Sequence, residues 1–348
     1  MIEQLDRQKL IRIKTDSGEE AYIIHRVLQD KIQSDLDNYS FADAFRKAFR
    51  LIRKRYPLSD PQQVPVPKQL EVCKKYMPHV QAFHVTFFEH TSYHGMTSIG
   101  EVDPIELAGL FYDAGFFVWG GQSTAYDGLP FLETAERILM EMKVDPNAKI
   151  RADINCINGL LLLNMGYVER REGAGKLEAA WEIRKKLYDQ NETRDNDVLS
   201  QNAANDWCIC LMNMYRFEVA RELLQGCLTR YKMWGTEEEN PFEYSKFYGN
   251  YSVVLLWEGK VEEAIEYCQK CLVLTEEFGQ RKSQYYRRLF FLGCLYLQAG
   301  ELQKALDTHM ETLRERIALQ GKHHENTIMS MYAVAAIFHY QGHLGEAM

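Results

Sequence analysis

Residues 289–305 read LFFLGCLYLQAGELQKA, and this segment carries the clearest structural pattern in the chain. It places Gly293, Gly300 and Ala305 at the offsets of a helix, a tight turn and the start of a second helix. Near-copies of the stretch end at Ala180, Ala220, Ala264 and Ala347. The five alanines are therefore separated by 40, 44, 41 and 42 residues. Self-similarity at a period of this size predicts a helical solenoid, whose units bury their apolar faces against neighbouring units.

The repeating pattern predicts an all-α fold in which residues 104–348 form a right-handed α-α superhelix of about five to six helical hairpins. Gly293 and Ala305 are predicted to lie where the two helices of one hairpin cross, because a larger side chain there would push the helices apart. Leu292 and Tyr296 are predicted to fill the space between successive hairpins. The first unit of the array is irregular.

The last unit stops one residue after Ala347, so the sequence contains no second helix for it. A solenoid end with an uncovered apolar face lowers solubility. We therefore expect the chain to be a fragment, the product of a truncated gene model, or a piece of a longer protein.

The unit formed by residues 148–190 has a distinctive glycine-rich segment, which predicts a loop at residues 170–175. Gly173-Ala-Gly175-Lys176 imitates a phosphate-binding loop, but position 170 is arginine where the motif needs glycine. The residue after the lysine is leucine rather than serine or threonine. The segment is therefore predicted to be an ordinary helix-connecting loop.

Residues 1–37 do not carry the repeat. Two β-rich runs, residues 10–14 and 21–24, flank the turn-forming residues 15–18, and helical patterns stand on both sides. The order helix, hairpin, helix predicts a winged-helix-like remnant.

Residues 38–103 are predicted to be a helical linker. Residues 41–56 set an apolar face against a strongly basic one, which is typical of an amphipathic helix. Prolines then predict a short stiff connector. Residues 70–88 resume helical periodicity with a kink or break at Pro78, and residues 91–100 are predicted to be a polar loop.

The composition bounds the function. With 348 residues, 46% of them hydrophobic, the chain has ample material for buried cores. The sequence lacks both an apolar run of about 18 residues and an apolar signal-peptide core, so we predict a cytoplasmic protein with no membrane partner. A formal net charge of −8 argues against broad binding to nucleic acid. The eight cysteines are predicted to be reduced core residues.

Candidate sites for chemistry are few. Cys268 and Cys271 form a CxxC pair, and Cys208 and Cys210 are close in sequence, so a zinc site must be considered. Because the pairs fall in predicted helices of different hairpins, with no histidine pair at metal spacing, we predict that they pack in the core. No residue falls in a recognisable nucleophile motif, so we predict no catalytic residue, metal or cofactor, and no enzyme activity. Two groups of histidines flank or occupy predicted loops: His84, His90 and His94 at one, and His323 and His324 at another. We predict that they are solvated, and the alternative is a metal-binding or pH-sensitive role.

The cations between residues 46 and 55 predict either a solvated helix face or a set of contacts to nucleic-acid phosphates. The solvated face is our prediction. DNA binding is kept as a hypothesis because a winged-helix-like segment lies beside this helix.

The repeated residues resemble the tetratricopeptide repeat. The long period, and the segment GKHHENT at residues 321–327 before Met331, resemble the variety found in kinesin light chains and in NLR-type proteins. The resemblance covers residues 105–348 and implies that the first helix of each hairpin lines a concave face. The residues that this would place in a partner-binding groove are Asn202, Asn205, Lys246, Trp257, Arg287, Phe290, Gln298, Tyr332 and Tyr340.

This set of side chains suits recognition of a protein or peptide partner. Asparagines can hold an extended backbone, Lys246 and Arg287 can pair with carboxylates, and aromatic rings supply area to bury. The alternative is that these are ordinary exposed side chains of a structural array, or that they pack against further repeats. Self-association through the solenoid is also open.

Residues 10–29 are similar to the winged-helix end of the nucleotide-binding (NB-ARC) module in fungal NLR-like STAND proteins, and residues 41–88 resemble the linker that follows it. The resemblance implies that His25 senses nucleotide phosphate in a longer parent protein. Arg26 stands where the plant and animal motif carries aspartate, and the chain has no phosphate-binding loop. We therefore predict the sensor half of an NLR-like signalling protein, with no nucleotide hydrolysis of its own. The alternative is a free-standing cytosolic scaffold or adaptor.

Overall fold

The computed structural model describes the chain except for residues 1–10, 17–18, 25–28, 30, 33–34, 61–66, 122–124, 164, 278–282, 344 and 346–348. His25, the predicted nucleotide-sensing residue, lies outside the described residues. So does Ala347, the last of the five repeated alanines.

A β-hairpin opens the described chain. Strand β1 (Ile11–Asp16) pairs antiparallel with β2 (Glu19–Ile24), with Ile11 opposite Ile24. β-branched residues favour the extended backbone of such strands. The two β-rich runs predicted from the sequence are confirmed as strands.

The amphipathic pattern of residues 41–56 forms helix α1 (Asn38–Arg55). The Asp37 carboxylate caps the start of α1 by accepting a hydrogen bond from the Ser40 amide at 2.7 Å, and this bond lowers the pKa of Asp37. The buried aromatic face of α1 contacts the next helix, where Phe45 stacks on Phe83 with ring centroids 4.6 Å apart. The predicted linker is therefore a packed part of the fold.

Helix α2 (Pro67–His94) contains Pro78 without ending there. A 3-10 helix (Met96–Ile99) follows it directly. The predicted polar loop at residues 91–100 is therefore wrong over most of its length. The reason is that both terminal side chains of the 3-10 helix are apolar and buried, which fixes the segment against the core beneath α1 and α2.

The array in the described part of the chain consists of α3 (Pro104–Gly121), α4 (Ala125–Glu141), α5 (Lys149–Leu162), α6 (Tyr167–Gln190), α7 (Arg194–Asn213), α8 (Phe217–Trp234), α9 (Pro241–Trp257), α10 (Val261–Glu277), α11 (Ser283–Gln298), α12 (Leu302–Gln320) and α13 (Glu325–Tyr340). Helices α3 to α12 pair as successive hairpins, and α13 packs on α12. Each hairpin also contacts the next, so the predicted helical solenoid is confirmed. None of the helices described has both the length and the apolarity that crossing a membrane requires.

Small residues lie where the helices of one hairpin cross. A Cβ atom on Gly293 would lie 2.6 Å from Nε2 of His309 on the partner helix. Ala305 is fully buried. In the hairpin of α7 and α8, the Cys208 thiol donates to the Ala220 carbonyl at 3.7 Å. The prediction that these crossings need small residues is confirmed.

Larger side chains fill the space between hairpins. Leu292 is buried in a cluster that contains Ala264 and Leu272 of the preceding hairpin. The Tyr296 hydroxyl accepts a hydrogen bond from Gln269 of that hairpin at 3.0 Å. The predicted roles of Leu292 and Tyr296 are therefore confirmed.

The predicted loop at residues 170–175 is wrong, because α6 runs through it. A Cβ atom on Gly173 would lie 2.9 Å from the Gly159 carbonyl oxygen and 2.9 Å from Cβ of Leu162, both on α5. Glycine weakens an isolated helix, which is why the sequence suggested a loop. Here the close approach of two helices requires glycine, and packing overrides the local preference.

One turn geometry recurs after the first helices of four units. The residue with a left-handed backbone is Gly259, Gly300 or Gly342, with φ of 76°, 78° and 80°, and in one unit Tyr215, with φ of 60°. The amide of the following residue donates to the carbonyl five residues earlier at 2.8 or 2.9 Å in every case. Tyr215 is thus a bulky residue in a position that favours glycine.

An ion pair joins the linker to the array. Arg53 Nη1 of α1 lies 2.6 Å from Asp113 Oδ2 of α3, and the Ser59 amide donates to Oδ1 of the same carboxylate at 2.8 Å. The pKa of Asp113 is raised overall because burial disfavours its charged form, and the contacts with Arg53 and Ser59 only partly offset this rise. Arg53 therefore has a structural role and is not part of a free basic surface.

Candidate functional site

The first helices of three successive hairpins carry polar residues at equivalent positions. Asn202 in α7, Lys246 in α9 and Arg287 in α11 are spaced by 44 and 41 residues, as are the alanines of the same hairpins. Stacking of equivalent helices places them in a row, which we call the polar row (Asn202, Lys246 and Arg287). The surface formed by α5, α7, α9 and α11 is called the first-helix face.

Lys246 is held by Asp206, which lies one turn after Asn202. The ammonium group is 2.9 Å from Asp206 Oδ2 and 3.4 Å from the Asn202 carbonyl oxygen. The Cys156 thiol of α5 donates to the same carboxylate oxygen at 3.6 Å. Asp206 therefore connects the first helices of three hairpins and compensates the charge of Lys246.

Arg287 has a different environment. Its side chain is exposed, and it forms no ion pair with any described residue. The surrounding protein nevertheless removes water from the guanidinium, and this desolvation lowers the pKa of Arg287 to about 10. The neighbouring Arg288 also lowers this pKa, and Asp206 partly opposes the change. Arg287 is thus a crowded cation on the first-helix face without a direct counter-charge.

Asn205, predicted to lie in the groove, is instead buried at 0% exposure. Its Oδ1 accepts from Asn250 Nδ2 at 2.5 Å, and its own Nδ2 donates to the Tyr231 hydroxyl at 3.4 Å. Arg288 Nη2 donates to Asn250 Oδ1 at 2.7 Å. The amide of Asn205 is therefore committed to a network inside the solenoid, because its helix turns this position toward the next hairpin.

The predicted aromatic groove residues are dispersed. Trp257 is 58% exposed at the end of α9 and stacks on Phe217, with ring centroids 4.2 Å apart. Phe290 packs edge-on against His309, 4.9 Å away, between the two helices of its own hairpin. The predicted residues that are exposed at other places, on α11 and α13, are Gln298, Tyr332 and Tyr340.

A cavity of about 40 Å³ lies beside the polar row. The side chains that line it come from α3, α5, α6 and α7 and are Tyr112, Ala152, Asp153, Cys156, Ile157, Ala180, Arg184, Leu199, Asn202, Ala203 and Asp206. Arg184 forms a buried ion pair with Asp153 through Nη2. Burial lowers the pKa of Arg184 to about 10. The cavity thus combines a polar lining with side chains that are mostly buried.

Several polar atoms of this lining have no hydrogen-bond partner in the described structure. They are the Tyr112 hydroxyl, Arg184 Nη1 and both side-chain polar atoms of Asn202. The Asn202 amide makes no hydrogen bond of ordinary geometry to a described residue. It does lie near the Glu243 carboxyl: burial raises the pKa of Glu243, and the Asn202 side chain partly opposes this rise. Buried polar groups are normally paired, so these atoms mark the cavity as a candidate site.

Asn202, predicted to lie in an open groove, is instead buried in the cavity lining. The sequence analysis made no prediction for the other polar lining residues, which are Tyr112, Asp153, Arg184 and Asp206. The available signal is weak: Asp153 follows Ala152 and precedes Ile154, and Arg184 follows Ile183, so each charge interrupts an apolar pattern. A charge at a helical core position can indicate a buried pair. Which charges meet depends on the stacking of separate hairpins.

The cysteines of the two close pairs pack in the core as predicted, since Cys208, Cys210, Cys268 and Cys271 are all buried. Cys208 and Cys268 are fully buried, and burial raises the pKa of the Cys268 thiol to about 12. The described residues include no group of three or more histidine, cysteine, aspartate or glutamate side chains that could hold a metal ion.

The histidines predicted to flank or occupy the loop at residues 91–100 all belong to α2, so the loop position of His94 is wrong. His84 lies 2.7 Å from the Thr134 hydroxyl, and the His90 ring stacks on Phe41 at 3.5 Å. His324 caps α13 by accepting from the Asn326 amide at 3.2 Å. Packing explains the positions of His84 and His90, and helix capping explains that of His324.

Residues 244–316 match the family model of the tetratricopeptide repeat. No curated protein matches the chain. Among solved structures, NprR in complex with its cognate peptide NprX is similar with a TM-score of 0.57 at 12% identity, covering 92% of this chain and 78% of that chain. The apo form of the quorum sensor NprR from B. thuringiensis has a TM-score of 0.51 at 12% identity, covering 92% and 88%. A Rap protein complexed with Competence and Sporulation Factor has a TM-score of 0.50 at 12% identity, covering 89% and 95%. At such low identity the likeness shows the fold alone, a tetratricopeptide-like helical solenoid.

Proposed function

We propose that the first-helix face binds a peptide or an extended segment of a protein partner, in a non-enzymatic role. The observation that carries the proposal is Arg287, an exposed yet crowded guanidinium with no ion-pair partner among the described residues. It stands in the polar row beside Lys246, whose charge is already compensated by Asp206. A ligand carboxylate is the natural partner for Arg287, because bidentate guanidinium–carboxylate bonds are among the strong charge-assisted hydrogen bonds.

The comparisons support this proposal at the level of the fold. The structures of NprR with its cognate peptide NprX and of Rap with Competence and Sporulation Factor are similar helical solenoids in complex with a ligand. Stacked hairpins offer an extended surface along which a segment can lie. A carboxylate close to Arg287 would orient such a segment along the polar row.

A peptide array tests the proposal. The full chain is exposed to an array of random peptides, and the dissociation constants of the tightest acidic binders are then measured by fluorescence anisotropy. Arg287→Glu is expected to weaken these binders by about ten-fold or more, since it replaces an attractive pair with a repulsive one. Arg314→Glu makes the same charge change on an exposed position of α12 and serves as the matched control. Equal losses in both variants would point to bulk charge and contradict the site.

We further propose that this module belongs to a longer NLR-like signalling protein as its sensor half. The proposal rests on the resemblance of residues 10–29 and 41–88 and on His25, and the alternative is a free-standing scaffold or adaptor. Reading the gene upstream of Met1 distinguishes them. An in-frame GxxxxGK[ST] segment preceded by a strand is expected, and several hundred codons without one would favour the adaptor.

A further inference from the structure

The cavity beside the polar row contains polar atoms that have no hydrogen-bond partner among the described residues. Tyr112 and Arg184 are each only 4% exposed, and Asn202 is 5% exposed. The Tyr112 hydroxyl and Arg184 Nη1 can donate, while the Asn202 amide can both donate and accept. Leaving such groups unpaired costs about 1–3 kcal/mol each, so the site is built to receive a hydrogen-bonding group.

The charges around the cavity are already balanced. Arg184 pairs with Asp153, and Lys246 pairs with Asp206 at 2.9 Å. A further carboxylate would add a third negative charge to a lining that already includes Asp153 and Asp206, whereas Arg184 is its one cation and Lys246 pairs with Asp206 from outside the lining. The cavity therefore favours a neutral polar group over an anion.

The size of the cavity restricts the group further. A volume of about 40 Å³ accommodates about three water-sized atoms. A carboxamide head, with its carbon, oxygen and nitrogen, matches this space. A peptide backbone with its flanking side chains does not, so the group must enter as the end of a side chain.

We propose that the cavity is a specificity pocket for the carboxamide of a glutamine or asparagine side chain in the bound segment. This inference rests on the proposed function of the first-helix face. The carboxamide oxygen accepts from the Tyr112 hydroxyl and Arg184 Nη1, and its NH₂ group donates to Asn202 Oδ1. The segment thereby gains a neutral anchor at the cavity, in addition to the carboxylate that pairs with Arg287.

Two blocked amino acids test the pocket without requiring a known partner. The full chain is titrated with N-acetyl-glutamine N-methylamide and with N-acetyl-glutamate N-methylamide, and dissociation constants are measured by ligand-observed NMR. The glutamine probe is expected to bind about ten-fold or more tightly than the glutamate probe, because only its head satisfies both donors and acceptors of the cavity. Equal affinities, or a preference for glutamate, overturn the proposal. Binding of neither probe overturns it as well and leaves ordered water as the occupant of the cavity.

Two variants locate the binding. Tyr112→Phe removes a hydroxyl that has no hydrogen-bond partner in the described part of the chain. It is expected to weaken binding of the glutamine probe about ten-fold without lowering the melting temperature. Ala152→Leu fills the cavity without changing its polar atoms and is expected to abolish binding of the probe. Tyr93→Phe, on an exposed side chain of α2, is the control. Glutamine binding that survives both cavity variants overturns the assignment.

The probes and the peptide array report separately. Loss of probe selectivity with Arg287-dependent peptide binding intact would remove the pocket and keep the proposed function. Selective binding of the glutamine probe supports the pocket even where no peptide on the array depends on Arg287.

Discussion

Tyr215 occupies the turn position that Gly259 holds in the next hairpin. The two residues have φ of 60° and 76°, and the amide that follows each of them closes the same hydrogen bond to a carbonyl five residues earlier. The turn is therefore conserved in geometry between the two hairpins although the residue is not. Because an L-residue with a side chain is strained in this region, Tyr215 stores strain that glycine would not.

Tyr215→Gly is expected to raise the free energy of unfolding by about 1 kcal/mol, since it removes the left-handed strain of a tyrosine that is 74% exposed. Chemical denaturation measures the change. Gly259→Ala, the reverse kind of change at the equivalent position, is expected to cost about 1 kcal/mol. A stability loss in Tyr215→Gly would show that its contacts to Trp257 and Phe217 outweigh the strain.

Gly293→Ala is expected to destabilise the protein by about 1–3 kcal/mol, because the new methyl group would overlap the buried His309 ring. His309→Ala is expected to lower the free energy of unfolding less in this variant than in the wild type, because removing the ring makes space for the new methyl group. Thermal melts of the double-mutant cycle measure the coupling. Gly226→Ala is the control, because its new methyl group would lie on an exposed helical site where no described atom beyond its own helical turn and chain neighbours is within 4 Å. This change is expected to be neutral or stabilising. Additive effects of the two changes would contradict the proposed crossing.

Arg287 and Arg288 are neighbours with opposite roles, which makes them a matched pair. Arg288 donates to the Gly249 carbonyl and to Asn250 Oδ1, both at 2.7 Å, so Arg288→Met is expected to cost about 2 kcal/mol of stability. Arg287→Met removes no such bond and is expected to leave stability within about 0.5 kcal/mol of the wild type. Chemical denaturation measures both. Comparable losses would mean that Arg287 also holds the fold together.

The fully buried His309 is expected to make stability depend on pH. Burial, with Arg316 nearby, lowers its pKa from 6.5 to about 4, so the unfolded chain binds the proton first. The contribution of neutral His309 to the free energy of unfolding is therefore fully present above about pH 6.5. It decreases by about 3 kcal/mol as the pH falls toward 4. Denaturation curves over this range are expected to show a smaller dependence for His309→Gln. The same dependence in both proteins would assign the effect to other groups, and His323→Gln, which removes an exposed histidine, is the control.

The sequence predicts the hairpins well because their determinants are local and periodic. Gly293 and Ala305 recur with the repeat, and the left-handed turn follows from Gly300 and its equivalents. Gly173 shows where prediction from local sequence fails. A glycine at this position suggests a loop, but it instead allows the close approach of α5 and α6, which is visible only in the packed structure.

The cavity could not be predicted in the same way. Tyr112, Arg184 and Asn202 belong to three different hairpins, and a single polar residue in a helix usually indicates an exposed face. Asn205 illustrates the converse error, since a polar residue predicted to be accessible lies in the interior. Only the stacking of hairpins decides which polar residues meet.

The hydrogen-bonded chain of Asn205, Asn250 and Arg288 also bears on how the array assembles. Hairpins of similar shape have interchangeable apolar faces, so a folding chain can stack the wrong neighbours or exchange a hairpin with another molecule. The polar chain is satisfied only when α7, α9 and α11 follow one another in order. A skipped or swapped hairpin would bury an asparagine or an arginine without its partner. The free-energy cost of such an unpaired buried group disfavours arrays in which the repeats stack in the wrong order.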